Sequence, residues 1–199
     1  MESMVESKLI ETASKWVVEK YPYNSYHLLQ SLVWLDRIAP GSREAVRLAT
    51  LTHDMERAFP GPDQPHADDL NDFACYKAHS ERSARIVGEW LRGQTGDAAL
   101  VTDVEDLVRV HEFGGSPEAN LVQAADSISF LEVNIDLFLN MIRSKKRPVS
   151  QVQVKFDWSY ERIQVEPARQ IAYQMLQAAN ARLRALVEEI DQSTNGNAD

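Results

Sequence analysis

The chain has 199 residues, 44% of them hydrophobic, which is enough to bury one core of ordinary domain size without staples. Its 30 acidic residues outnumber 21 basic ones for a formal charge of −9, and no basic stretch is long enough to follow a nucleic-acid backbone, so no nucleic-acid polymer is expected as a partner. With one cysteine, no long apolar run and no leader-like apolar core in residues 1–10, the expectation is a soluble cytoplasmic protein that neither forms an intramolecular disulfide nor enters a membrane.

Helical periodicity runs through nearly all of the chain. Val5, Leu9, Ala13, Trp16 and Val17 share one face and predict a first helix over residues 3–20, ended by Tyr21-Pro22-Tyr23. Asn24 or Ser25 caps a second helix that reaches residue 38. After the Pro40-Gly41 turn, Ser42 as cap and Glu44 in the first turn begin a third, extending to residue 59. Residues 60–69 hold three prolines and a glycine and read as a loop. A helix over residues 70–91 follows, with a break expected near Tyr76, then another over residues 98–111 and the Gly114-Gly115 punctuation. Pro117 suits the first turn of a long helix over residues 116–143. Residues 144–156 carry strand-like alternation in Val149, Gln151, Val152, Gln153 and Val154, and are read as a loop. Periodicity returns over residues 158–190 with a kink or break at Pro167, and the polar residues 193–199 are expected to fray. No repeat or linker divides the chain. The prediction is an all-α, single-domain helical bundle over residues 1–199.

Within these helices several polar residues occupy positions that normally carry Leu or Val. His27 shares a face with Trp34 and Ile38, His53 follows Val46 and Ala49, and His79 lies with Ser83 and Ile86. His111 follows Val104, Leu107 and Val108, and Asp126 lies between Val122 and Phe130. Any one of them alone reads as a hydrogen-bonded packing residue or a cap. Together with Asp54 they put four imidazoles and two carboxylates into one core. Such a core has few ways to satisfy its polar atoms without metal, and six ligands suffice for two ions in a bundle. Imidazole-rich donors favour Fe, Mn, Co, Ni or Zn over Mg or Ca. His66, in the acidic proline-rich loop, reads as solvated. Cys75 reads as a packing residue. The run Arg143, Lys145, Lys146, Arg147 complements a helix end, and Trp16, Trp34, Trp90 and Trp158 read as core or half-core.

The order of these residues is informative as well as their number. His27 is followed by Leu51-Thr52-His53-Asp54, then Ala78-His79-Ser80-Glu81-Arg82-Ser83-Ala84, Val110-His111-Glu112-Phe113-Gly114-Gly115, and Ala124-Ala125-Asp126-Ser127-Ile128. This resembles the HD superfamily, whose signature is a helical His, a His-Asp doublet and a distal Asp, and whose members with two further histidines usually hold two metals. The resemblance covers about residues 24–142. It implies a metal-dependent phosphohydrolase with its metal site in the bundle core and the helices of residues 158–190 packed on the motif-bearing part. His27, His53, Asp54 and Asp126 would bind the first metal, and Asp54 would bridge to a second completed by His79 and His111. A bridging hydroxide would be the nucleophile.

The implied substrate is a small phosphorylated molecule, a nucleotide ester or anhydride. The pattern looks like that of small bacterial hydrolases of dinucleoside polyphosphates, and more loosely like cyclic-dinucleotide phosphodiesterases, from which it departs in lacking Gly-Tyr-Pro after the doublet. It also departs from alarmone hydrolases, since Glu56 is followed by Arg57 instead of a second acid. Arg57 matches a position where many members carry lysine. It is a candidate catalytic and substrate-binding residue that clamps a phosphate bidentately, the alternative being a surface ion pair with Glu56 or Asp54. Arg82, one turn after His79, is a second substrate-binding candidate and Lys77 a weaker one. Two other readings stand beside hydrolysis: a di-iron oxygenase using the same ligands, and a non-enzymatic regulator that keeps the fold.

Overall fold

The computed structural model describes residues 7–66 and 68–195, and among them every regular element is helical. The chain forms α1 (Lys8–Lys20), α2 (Ser25–Ile38), α3 (Glu44–Thr52), a 3-10 turn (Met55–Ala58), α4 (Phe73–Arg92), α5 (Ala98–Arg109), α6 (Pro117–Ser129), a π-helical turn (Phe130–Asn134), α7 (Ile135–Arg143), α8 (Val149–Glu161) and α9 (Glu166–Asn195). The all-α prediction holds. The expected start of the first helix at residue 3 lies outside the described residues, as do residues 196–199 of the expected fray.

Local chemistry accounts for most boundaries. Side chains of Ser7, Asp72, Asp97 and Ser116 cap α1, α4, α5 and α6 by accepting the backbone N–H three residues on. Pro117 follows Ser116 at a position that needs no N–H donor. The caps expected from Asn24 and Ser42 are not made: the Asn24 amide donates to the Tyr21 hydroxyl at 3.5 Å instead of accepting from α2, and Ser42 donates back to the Ala39 carbonyl at 2.7 Å. Gly114 and Gly115 turn the chain into α6 at φ +70° and +119°. A Cβ on Gly114 would come within 2.3 Å of the Asn120 Oδ1, the same oxygen that accepts the Gly115 N–H at 2.8 Å, so glycine is required there.

Four of the sequence's helix readings need correction. The third helix does not run on to residue 59. It stops at Thr52, and the chain re-forms as a 3-10 turn after Asp54. Ser83 from α4 compensates for the lost helical bonds: its hydroxyl donates to the His53 carbonyl and accepts the Glu56 N–H at 3.1 Å. The helix over residues 116–143 is interrupted by the π turn at 130–134. There Glu132 receives the Trp34 indole N–H at 2.6 Å and the Gln30 amide at 2.8 Å, tying the widened turn to α2. Residues 149–156, read as a loop, belong to α8. Val152, Phe156 and Ser159 are fully buried at helical spacing, whereas Val154 is exposed, so packing against α9 selected the period of 3.6 over the period of 2. The break expected near Tyr76 does not occur, since α4 runs unbroken from Phe73 to Arg92, whereas the break expected near Pro167 is present as a turn after α8, with Glu166 opening α9.

The core is continuous. α2 packs between α3 and α6, α4 lies along α5, α3 contacts α5 and α6, and α8 pairs with α9. The completely buried Leu28, Leu35, Leu48, Leu51, Val104, Val108, Val122 and Ile128 line the space between α2, α3, α5 and α6. Burial of this apolar surface, at roughly 25 cal/mol per Å², fixes the positions of the helix ends that carry the polar residues.

Candidate metal centre

The buried polar residues of the core converge from five segments. His27 comes from α2, His53 and Asp54 from the break after α3, His79 from α4, His111 and Glu112 from the turn after α5, and Asp126 from α6. All four imidazoles are at most 3% exposed, so each ring must have its nitrogens accounted for. One nitrogen of each ring is spoken for. His53 Nδ1 donates to the Thr50 carbonyl at 2.8 Å, His111 Nδ1 to the Val108 carbonyl at 2.8 Å, and His79 Nδ1 to Glu56 Oε2 at 2.8 Å. For His27 the partner is Ser129. Its hydroxyl donates to the His27 carbonyl at 2.8 Å and therefore accepts the ring Nδ1–H at 2.9 Å.

These bonds fix a proton on Nδ1 and turn the Nε2 atom of every ring inward. The Nε2 atoms of His53, His79 and His111 are buried with no hydrogen-bond partner. Carboxylate oxygens face them without completing bonds. Asp126 Oδ1 lies 3.2 Å from His27 Nε2 and 3.4 Å from His53 Nε2, and Asp54 Oδ1 lies 2.8 Å from His79 Nε2. Glu112 Oε1 is 3.9 Å from His111 Nε2. Ligand atoms lie mutually within 4.8 Å in three overlapping sets: His27, His53 and Asp126; His53, Asp54 and His111; and His79, His111 and Glu112. Imidazole nitrogens and carboxylate oxygens aimed at common points fit transition-metal cations, which displace any proton held there.

Electrostatics reinforces this geometry. Burial opposes ionisation of Asp54, but Arg57 and His79 outweigh it and hold the carboxyl well below the usual range. Burial likewise opposes ionisation of Asp126, and Arg162 with His53 overrules it. His111 is driven down to about 4 by burial, so its imidazole is neutral at physiological pH. His53 behaves oppositely: burial lowers its affinity for a proton, yet Asp126 raises it to about 9. In the metal-free centre that proton compensates the carboxylate charge, and a cation would take its place.

The residues singled out from the sequence meet different fates. His27, His53, Asp54, His79, His111 and Asp126 are brought together. Arg57 sits at the rim, 45% exposed, with Nε 3.5 Å from Asp54 Oδ1. Arg82 is 9% exposed and engaged within the protein: its Nη1 donates to the carbonyl of Glu56 at 3.1 Å and to Oε1 of the same residue at 3.2 Å. Its Nη2 donates to the Phe59 carbonyl at 2.8 Å and meets Asp63 at 3.0 Å. Arg82, a substrate-binding candidate from the sequence, thereby braces Glu56 against His79. Lys77 pairs with Glu81 at 4.0 Å on the surface, and His66 lies exposed on the loop, outside the cluster.

Four further residues complete the centre. Glu56 orients His79, and Ser129 orients His27. Glu112 joins the third ligand set. Arg162, from the turn after α8, reaches Glu112 Oε2 with Nη1, Asp126 Oδ2 with Nη2 at 2.5 Å and Ser127 Oγ with Nε at 2.8 Å. Glu112 stood directly beside His111 in the motif text. Arg162 lies beyond the motif-bearing stretch. Its signal was the shared face of Lys155, Trp158 and Arg162, legible only once residues 149–161 are taken as helical.

A protein-family model described as HD domain matches residues 24–131, more than half of the chain. No curated protein and no solved structure matches it. Among the described residues no helix is long and apolar enough to cross a membrane. The matched span begins at the cap of α2 and ends in the π turn, so it encloses every His and Asp of the cluster, and the chain belongs to the HD domain family, whose members are typically metal-dependent phosphohydrolases.

Proposed function

We propose that the protein hydrolyses a phosphate ester or anhydride of a small molecule, in the first instance a nucleotide, using two divalent transition-metal ions. The observation that carries this reading is the set of four buried imidazoles, each with Nδ1 tied to the protein and Nε2 turned to a common interior. His27, His53, Asp54 and Asp126 would hold one ion, and His79 and His111, sharing Asp54, the other. Ions of this class supply Lewis-acid activation of water near neutral pH and positive charge against phosphoryl oxygens. Fe, Mn, Co, Ni and Zn suit the imidazole-rich donors.

The chain's own residues do the rest. Glu56 and Ser129 fix the tautomers and ring planes of His79 and His27, so no reorganisation is needed as charge develops. Arg162 holds Asp126 and Glu112 in the ionised form. Arg57, bound to Asp54 on one side and open to solvent on the other, has donors available for a phosphoryl oxygen.

The test is a panel of nucleoside mono-, di- and polyphosphates and phosphodiesters on metal-reconstituted protein, with metal content measured alongside. Near two equivalents of metal, and hydrolysis of the best panel member abolished in Asp54→Ala but retained in His66→Ala, are the expected results. Metal-replete protein that hydrolyses no member of the panel, yet consumes O₂, would transfer the site to the oxygenase reading.

A further inference from the structure

Among the described residues, one half-buried cation beside the metal centre has no carboxylate within ion-pair distance. Lys155 sits on α8, one turn before Trp158 and two turns before Arg162. Its ammonium lies 4.6 Å from the Tyr76 ring centroid, 4.8 Å from that of Trp158 and 5.4 Å from that of Phe130. It donates one hydrogen bond, 3.2 Å long, to the Tyr76 hydroxyl. That hydroxyl is itself fixed, because it donates to the Leu70 carbonyl. Tyr76 and Trp158 stack at 4.7 Å and 16°, so the two rings form one rigid wall against the lysine. Among the described residues no carboxylate lies within ion-pair distance of Lys155, whereas Arg82 and Arg162 each have two.

The wall leads to the metal ligands. The Arg162 guanidinium lies 4.6 Å from the same Trp158 centroid and binds Asp126. Phe130 is one turn beyond Asp126. The charged groups facing Lys155 are Glu112, Arg162, Asp126 and Arg57, and burial, only partly offset by Glu112, lowers its ammonium to about 8. Cation–π contacts orient an ammonium but do not neutralise it. A partly desolvated positive charge with two unused donors, held by aromatic rings next to a phosphoryl-transfer centre, is completed by an anion.

We infer that Lys155 binds a phosphate oxygen of the substrate, reaching it from α8 while Arg57 reaches it from the opposite segment after α3. This rests on the phosphohydrolase reading and extends it: the substrate carries an anion toward α8 as well as at the metals. The aromatic rings serve as the holder of the lysine. Tyr76 already covers Trp158, so the pair is not a free stacking surface for a base.

The experiment is calorimetric titration of zinc-reconstituted protein with inorganic pyrophosphate, with zinc content measured before and after. Lys155→Met keeps the apolar stem and should weaken binding about ten- to a hundredfold, the loss expected of one charge-assisted hydrogen bond, at unchanged zinc content. Lys155→Arg should stay within a few-fold of wild type. In the wild-type protein the ¹³C-labelled lysine side-chain resonance should report a rise in the Lys155 pKa when pyrophosphate is added, a readout that requires no variant to fold. Equal affinity in Lys155→Met and an unmoved lysine resonance overturn the assignment of Lys155 alone. A wild-type, zinc-loaded protein that does not bind pyrophosphate overturns both this assignment and the phosphohydrolase reading.

Discussion

Replacing Arg162 by methionine separates the role of this residue from simple packing. Its guanidinium is the shared partner of Asp126 and Glu112, and all three side chains are less than a tenth exposed. Methionine retains much of the stem against Trp158 but strands two buried carboxylates. Removing one member of a buried ion-pair network costs about 3–5 kcal/mol. For a domain of this size each kcal/mol moves the melting temperature by about 2–4 °C, so the metal-free variant should melt about 6–20 °C below wild type. A metal ion bound between the same carboxylates restores positive charge where the guanidinium was lost, so saturating metal should recover most of that gap. Acid should narrow it too. Burial pushes the Asp126 and Glu112 carboxyls up and Arg162 more than offsets this, so both sit below their ordinary values. Their stabilising contribution is present above the unfolded carboxylate range near pH ~4 and disappears as pH falls through the folded values, where a protonated carboxyl no longer needs Arg162. Calorimetric melts of apo and metal-loaded protein from pH 8 down past the unfolded carboxylate range, to about pH 2–3, would show this. A loss of the same size with and without metal, or one that persists unchanged into acid, would refute Arg162 as the counter-charge of the metal carboxylates.

Glu56→Gln removes the charge behind His79 while retaining an acceptor, and metal affinity measured by chelator competition should fall about 10- to 100-fold; an unchanged affinity would mean that Glu56 serves Arg82 only. Arg57→Ala should leave metal content and melting temperature nearly unchanged and lower kcat/KM about 10²-fold, with Arg57→Lys recovering part of it, whereas wild-type kinetics would reduce Arg57 to an ion pair with Asp54. Because His53 is raised to about 9 by Asp126 against the pull of burial, it stabilises the metal-free fold most fully below its unfolded value of about 6.5, and that contribution fades as pH rises through about 9. Over the same window metal affinity should increase, since binding expels that proton; calorimetry in buffers of different ionisation enthalpy would detect its release, and binding without proton release would contradict the assigned state of His53.

Much of this architecture could be read along the chain because helices advertise themselves locally. Apolar spacing located α1, α2, α5 and the start of α6 to within a few residues, and polar residues intruding on apolar faces marked His27, His53, His79, His111 and Asp126. Their order, with the His53-Asp54 doublet, was sufficient to indicate the family. The sequence did not reveal that α3 stops before the doublet, because the bonds that make the stop tolerable come from Ser83, thirty residues away. Nor did it reveal the π turn, whose partner Glu132 is held by Gln30 and Trp34 across the bundle. α8 was hidden by valines and glutamines that alternate with period 2 in sequence and pack with period 3.6 against α9. With α8 unread, Lys155 and Arg162 had no face and no direction. Periodicity is a property of neighbours in the chain, and it determined which residues are buried. The burial partner, the tautomer of each histidine, and the cation that balances Asp126 and Glu112 depend on groups brought together from distant segments, and only the tertiary structure decided them.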